Sequence, residues 1–187
     1  MKFSILVVVS LLIVGCSSQP VEPNYYLLRP TGELQSRTLV PSSDFALGDV
    51  RIASYVDQQG LLLETTAGEI RPARQHLWAE PMYESVRTFL DLEISRAKGS
   101  DIFAAKFNKD AIIIDIRIDQ LHGTHDGQAM LAAYWWLRKG NEIIASYQYA
   151  ERKMLAADGY AALASAEKAL LSDLAEKIAA SLVAPAE

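Results

Sequence analysis

Residues 112–119 read Ile-Ile-Ile-Asp-Ile-Arg-Ile-Asp, with Ile112, Ile114, Ile116 and Ile118 on one parity and Asp115, Arg117 and Asp119 on the other. Successive side chains of a strand point to opposite faces, so the alternation predicts a strand that turns four isoleucines to a core and three charges to water. Downstream, Gly123 to Gly127 and Lys139-Gly140-Asn141 carry hairpin-turn residues. They bound Gln128 to Arg138 and introduce Glu142 to Arg152, so three consecutive antiparallel strands are expected.

Upstream of this meander, Asn24-Tyr25-Tyr26-Leu27-Leu28 has strand character and ends at Pro30 and Gly32. Leu47 to Ile52 and Leu61 to Thr66 read as two further strands, with Asp57 to Gly60 as the turn between them. Glu80-Pro81 opens a helix, because proline is tolerated where a helix has no use for an N–H. Met82, Val86, Leu90 and Ile94, with Phe89 beside them, form its apolar stripe, and Gly99 stops it. Asp158 is the expected N-cap of a final helix that buries Leu163, Leu170, Leu171, Leu174, Ile178 and Leu182. The order β-β-α-β-β-β-α argues an α+β two-layer sandwich, a largely antiparallel sheet of about five strands with two helices on one face.

Such a fold leaves one sheet face wet. In residues 129–137, Met130, Ala132, Tyr134 and Trp136 form one side and Ala129, Leu131, Ala133, Trp135 and Leu137 the other, and neither is polar. An exposed stripe with Leu131, Trp135 and Leu137 would mark a contact with a partner, a lipid or a second copy of the chain. The competing expectation is that the segment around Tyr25 to Leu28 folds back over it.

Glycine-rich phosphate loops, nucleophile elbows and paired-cysteine spacings are absent, so no enzyme, cofactor or metal is expected. His122, His125 and Asp126 lie in the hairpin turn, where Gly123 and Gly127 already answer to backbone geometry, and a zinc site needs further fixed ligands. Asp115 and Asp119 share a face with Arg117 between them, which reads as a solvated charge ladder. Trp78, just before the first helix, reads as a core staple. The 187 residues are half hydrophobic and carry a net charge of −5 with no basic run, which argues against a nucleic-acid partner.

The N-terminus carries one lysine, Lys2, an apolar run from Phe3 to Val14, then Gly15 and the chain's single cysteine, Cys16. This resembles a bacterial lipobox: residues 1–15 as a signal peptide, Cys16 as the lipid attachment site, and 16–23 as a tether with Pro20 and Pro23. The apolar run is too short for a spanning helix, which needs about 20 residues. Ser17 in place of Asp after the cysteine points, by the usual sorting rule, to the outer membrane. With the lone cysteine lipidated, no disulfide is available and packing must stabilise residues 24–187.

The lipobox, Tyr25-Tyr26-Leu27-Leu28, Leu77-Trp78-Ala79-Glu80-Pro81-Met82, Gly123 and Gly127, Trp136-Leu137 and Asp158-Gly159-Tyr160 occur in an order that resembles the ABC-type transport auxiliary lipoproteins of the paraquat-inducible protein C kind. The resemblance covers nearly all of residues 24–187. It implies a non-enzymatic outer-membrane component of an envelope lipid-transport system, docking a mammalian-cell-entry (MCE) domain conduit or receiving lipid from it. Tyr25 and Tyr26 carry the family pattern and join Leu131, Trp135 and Leu137 of the apolar strand face as candidate contacts, with a structural role the favoured reading for the two tyrosines. A structural lipoprotein of envelope, appendage or secretion assembly is the alternative.

Overall fold

A computed structural model of the protein describes residues 21–30, 40, 44–102 and 110–182. Among them are the strands β1 (Asn24–Tyr26), β2 (Phe45–Ile52), β3 (Gly60–Glu64), β4 (Ile70–Trp78), β5 (Ile112–Gly123), β6 (Gln128–Lys139) and β7 (Glu142–Met154), and the helices α1 (Met82–Lys98) and α2 (Tyr160–Ser181). All seven strands join one sheet, in the order β1-β4-β3-β5-β6-β7, with β2 paired to β5.

The isoleucine strand is its centre. Ile112, Ile114, Ile116 and Ile118 are at most 5 % exposed, and burial of a side chain of that size contributes about 2 kcal/mol. On one edge β5 pairs antiparallel with β6, and β6 with β7, as the turn residues predict. The other edge is shared. β2 runs parallel along Ile112 to Ile118, and β3 meets the strand at Gly123.

The class is α+β as expected, but the sheet is mixed and has seven strands where about five, largely antiparallel, were expected. Two features account for the difference. β4 has no apolar alternation, with Arg71, Pro72, Arg74 and Gln75 in its middle; its strand form comes from antiparallel pairing with β3 and from β1, which pairs parallel with His76 to Trp78. Because β1 covers only those three residues, the stretch around Pro72 is a sheet edge, where a missing N–H is tolerated. The parallel partners β1 and β2 come from distant sequence, and no turn between neighbours announces them.

Both helices lie on one face. α1 buries Met82, Val86, Phe89, Leu90 and Ile94, and ends where Gly99 takes φ 77°, a left-handed conformation natural to glycine, and donates its N–H to Ser95 O at 2.9 Å. α2 buries Leu163, Leu170, Leu171, Leu174 and Ile178 against β5, β6, β7 and α1. It begins at Tyr160, and Gly159, at φ 101°, takes the cap position expected of Asp158, without a side-chain cap. Lys98 Nζ donates to Leu182 O at 2.6 Å and ties the two helix ends together. No helix of the described residues is long and apolar enough to cross a membrane.

The first-strand region is clamped from two sides. Tyr26 and His76 share a hydrogen bond at 2.9 Å, and the His76 ring stacks on Tyr160 of α2 at 4.5 Å. Arg29 Nη1 donates to Glu80 Oε2 at 2.7 Å, just ahead of α1, and this guanidinium holds the Glu80 carboxyl below its ordinary range. Leu28 and Trp78 are buried beside it, and Trp78 is the core staple anticipated.

Among the buried polar residues, one carboxyl is strongly perturbed. Glu167 of α2 is 2 % exposed, and burial pushes its carboxyl up to about 8, so it is mostly neutral at pH 7. In the unfolded chain the same group ionises near pH 4.3. Between those values the folded state holds the extra proton, so its contribution to stability declines as pH climbs from about 4 to about 8 and levels off above. Urea titrations across that range should show Glu167→Gln gaining on the native chain as pH rises; parallel curves would remove Glu167 from the pH dependence.

Candidate interaction face

The helices settle which side of β6 is covered. Ala129, Leu131, Ala133, Trp135 and Leu137 are all at most 5 % exposed. Trp135 Nε1 donates to Ser181 Oγ of α2 at 3.0 Å, and its ring stacks on Tyr147 of β7 at 4.9 Å. The candidate interface residues Leu131, Trp135 and Leu137 are therefore core, a correction of the expectation that this stripe is free. The cover is α2 rather than the Tyr25 to Leu28 segment, which sits at the opposite edge in β1. Small side chains at Ala129 and Ala133 suit the close approach of a helix. Of the other two candidates, Tyr26 is half-buried against His76, and Tyr25 is 61 % exposed.

The open face is the one with Tyr134 and Trp136. Their rings stack at 6.5 Å with 16° between planes, and the Arg117 guanidinium lies 5.1 Å from the first and 5.7 Å from the second. A guanidinium on aromatic faces at this range is attracted by the ring quadrupole, about 0.5–1 kcal/mol at an exposed site. Beside Trp136 a cleft of about 580 Å³ runs across β2, β5, β6 and the start of β7, lined by Asp49, Arg51, Asp115, Arg117, Arg138 and Ile143 among others.

Its charges are paired. Arg51 meets Asp49 at 2.8 Å, Arg117 meets Asp119 at 2.8 Å and Arg138 meets Asp115 at 3.0 Å, which turns the ladder anticipated on β5 into cross-strand and same-strand pairs. Asp115 Oδ1 also accepts the Asp49 N–H at 2.9 Å, across the irregularity between Leu47 and Val50. That approach needs glycine at 48, since a Cβ there would come within 2.3 Å of Asp115 Oδ1. With its carboxylates engaged by guanidinium groups, the cleft offers paired charges beside an aromatic wall, an arrangement that suits contact with a partner surface.

The histidines are not brought together. His122 is buried on the open side of β5, with Nδ1 3.1 Å from Gly123 O and its ring 6.3 Å from Tyr55, whereas His125 is exposed in the turn. Among the described residues, no group of His, Cys, Asp or Glu has metal-site geometry. Cys16 lies outside the described residues.

The pattern that defines the ABC-type transport auxiliary lipoprotein component family matches residues 25–179, from β1 to the last turn of α2. The chain belongs to this family. As an ABC-type transport auxiliary lipoprotein component it falls outside the known enzyme families. It is 22 % identical over 147 residues to the intermembrane transport lipoprotein PqiC of Escherichia coli (strain K12), covering 77 % of this chain and 78 % of that protein, with the same figures for PqiC of Shigella flexneri. A crystal structure of an uncharacterized protein covers 87 % of this chain and all of its own at 18 % identity with TM-score 0.74. A Xanthomonas campestris protein covers 83 % of this chain and 92 % of its own at 14 % identity with TM-score 0.63. These two likenesses show a shared fold.

Parity at the ends of β6 distinguishes its faces. Gln128 and Arg138 share the side of Tyr134 and Trp136, while residues 129–137 on the other parity are wholly apolar. The two tryptophans should therefore respond differently to truncation. Trp135→Ala should lower the free energy of unfolding by about 3 kcal/mol or more, and Trp136→Ala by about 1 kcal/mol, in urea denaturation. Equal losses would contradict this assignment of faces.

Proposed function

We propose that this chain is the lipid-anchored outer-membrane lipoprotein of an MCE-type ABC lipid transport system, facing the periplasm, where it docks a conduit or receives lipid from it. The observation that carries the reading is the family match over residues 25–179 behind a lipobox-like N-terminus. Residues 1–15 act as signal peptide, Cys16 takes the lipid, 16–23 form the tether and 24–187 the auxiliary domain. PqiC is named an intermembrane transport lipoprotein, which supports the transport reading. Lipidation contributes about 0.8 kcal/mol per buried methylene, enough with several chains for a stable anchor.

Partner contact belongs to the open face. Tyr134, Trp136 and Arg117 combine aromatic area with a guanidinium, the composition that dominates binding energy at protein interfaces. Tyr25, exposed at the β1 edge, is a second contact.

Affinity purification of the full-length lipoprotein from its native envelope, read by mass spectrometry, tests this. An MCE-domain protein should co-purify, decline with Cys16→Ser, and fall at least tenfold with Trp136→Asp while the variant keeps its circular dichroism. Recovery of appendage or secretion components without an MCE-domain protein would replace transport with an assembly role.

A further inference from the structure

A second cleft opens on the same sheet face, toward the far end of β5 and β6 from Trp136. Its volume is about 410 Å³, within the range of small-ligand sites, and its walls include Tyr55, Glu64, Asp119, His122, Met130 and Arg152. They come from the loop after β2 and from β3, β5, β6 and β7, so the cleft exists only in the assembled sheet.

One wall is held firmly. The half-buried Tyr55 sets its ring 6.3 Å from that of His122, which is 4 % exposed. His122 Nδ1 lies 3.1 Å from Gly123 O, a contact that fixes the orientation of the ring in the wall.

The charges differ from those of the first cleft. There every lining arginine meets a carboxylate. Here Asp119 is engaged by Arg117, but Glu64 and Arg152 take part in none of the ion pairs among the described residues, although both line this void. Arg152, which is exposed, interacts with Asp126 only beyond ion-pair distance, and Glu64 meets no cation at that distance, so a ligand with the opposite charge at each end would complete both.

The geometry points to a binding site for a zwitterionic amino-phosphate of the phosphoethanolamine class, with phosphate at Arg152 and ammonium between Glu64 and Asp119 against Tyr55. A guanidinium presents paired N–H donors to phosphate oxygens. Two carboxylates and one phenol ring suit a primary ammonium, which donates hydrogen bonds, over a quaternary one, which needs an aromatic cage. The ligand is either the headgroup of a phospholipid or a free glycerophosphodiester; taking the lipid as source rests on the transport reading, whereas the charge pattern of the cleft does not.

Calorimetric titration of the full-length lipoprotein in nonionic detergent tests it, with glycerophosphoethanolamine, dihexanoyl phosphatidylethanolamine and dihexanoyl phosphatidylglycerol as probes. The ethanolamine probes should bind saturably, and Glu64→Gln and Arg152→Gln, each with native circular dichroism, should weaken them on the order of tenfold, the size of one charge-assisted hydrogen bond. Glu64→Gln should leave the phosphatidylglycerol titration unchanged. Tighter binding of the dihexanoyl lipid than of the free diester identifies a lipid headgroup, and equal binding a soluble ligand. Absence of saturation by either ethanolamine probe, or unchanged binding in both variants, overturns the site. That result alongside a recovered MCE partner would leave the transport reading standing, and saturable binding without such a partner would leave the site standing alone.

Discussion

The structure depends on the burial of one side of β5 while both of its edges are occupied. A strand has a period of two, so a slip of one residue would carry Asp115 and Arg117 under the helices and bring Ile114 and Ile116 into water. That cost pins β5 in register, and β5 then sets its neighbours: β6 along one edge, and β2 and β3 end to end along the other. The helices add a second restraint from above, since α2 touches β5, β6 and β7 and packs on α1, which in turn contacts β2. Few elements can shift without disturbing this strand.

Much of this is written in local patterns. The isoleucine alternation, the glycines of the two hairpins and the four-residue stripe of α1 each encode an element through its own periodicity, and the structure contains all of them. β4 is different: its residues carry no alternation, and it becomes a strand because β3 and the short β1 offer hydrogen bonds on its two sides. Parallel pairing is equally silent in sequence, because the edge a strand takes is decided by distant chain. The two faces of β6 lie between these cases. Both are apolar at the centre, and the distinction rests on Gln128 and Arg138, whose polarity matters only once α2 has chosen the opposite side.

The open face shows how aromatic area is kept in water. Trp136 and Tyr134 lie among Arg117, Arg138, Asp115 and Asp119; the Arg117 guanidinium shields both rings, and each arginine is neutralised by a carboxylate. Each exposed pair is worth little to folding, a median of about 0–1 kcal/mol. Together they place charge of both signs around an apolar centre, the arrangement of an interface with an apolar core and a polar rim. A partner meeting this face would find its register set by charge and its affinity by the rings.

The clamp around β1 has a mechanical consequence. The chain ahead of Asn24 leads directly into β1, so a pull from the N-terminal side reaches the edge of the sheet before it reaches the core. The load falls first on the rungs that pair Asn24 to Tyr26 with His76 to Trp78, then on the ring stack from His76 to Tyr160 and on the bond from Arg29 to Glu80, which spread it into α2 and toward α1. The protein would yield to tension by peeling this short strand while β5 and its isoleucines stay assembled, a mechanical fuse built into the edge where the chain enters the sheet.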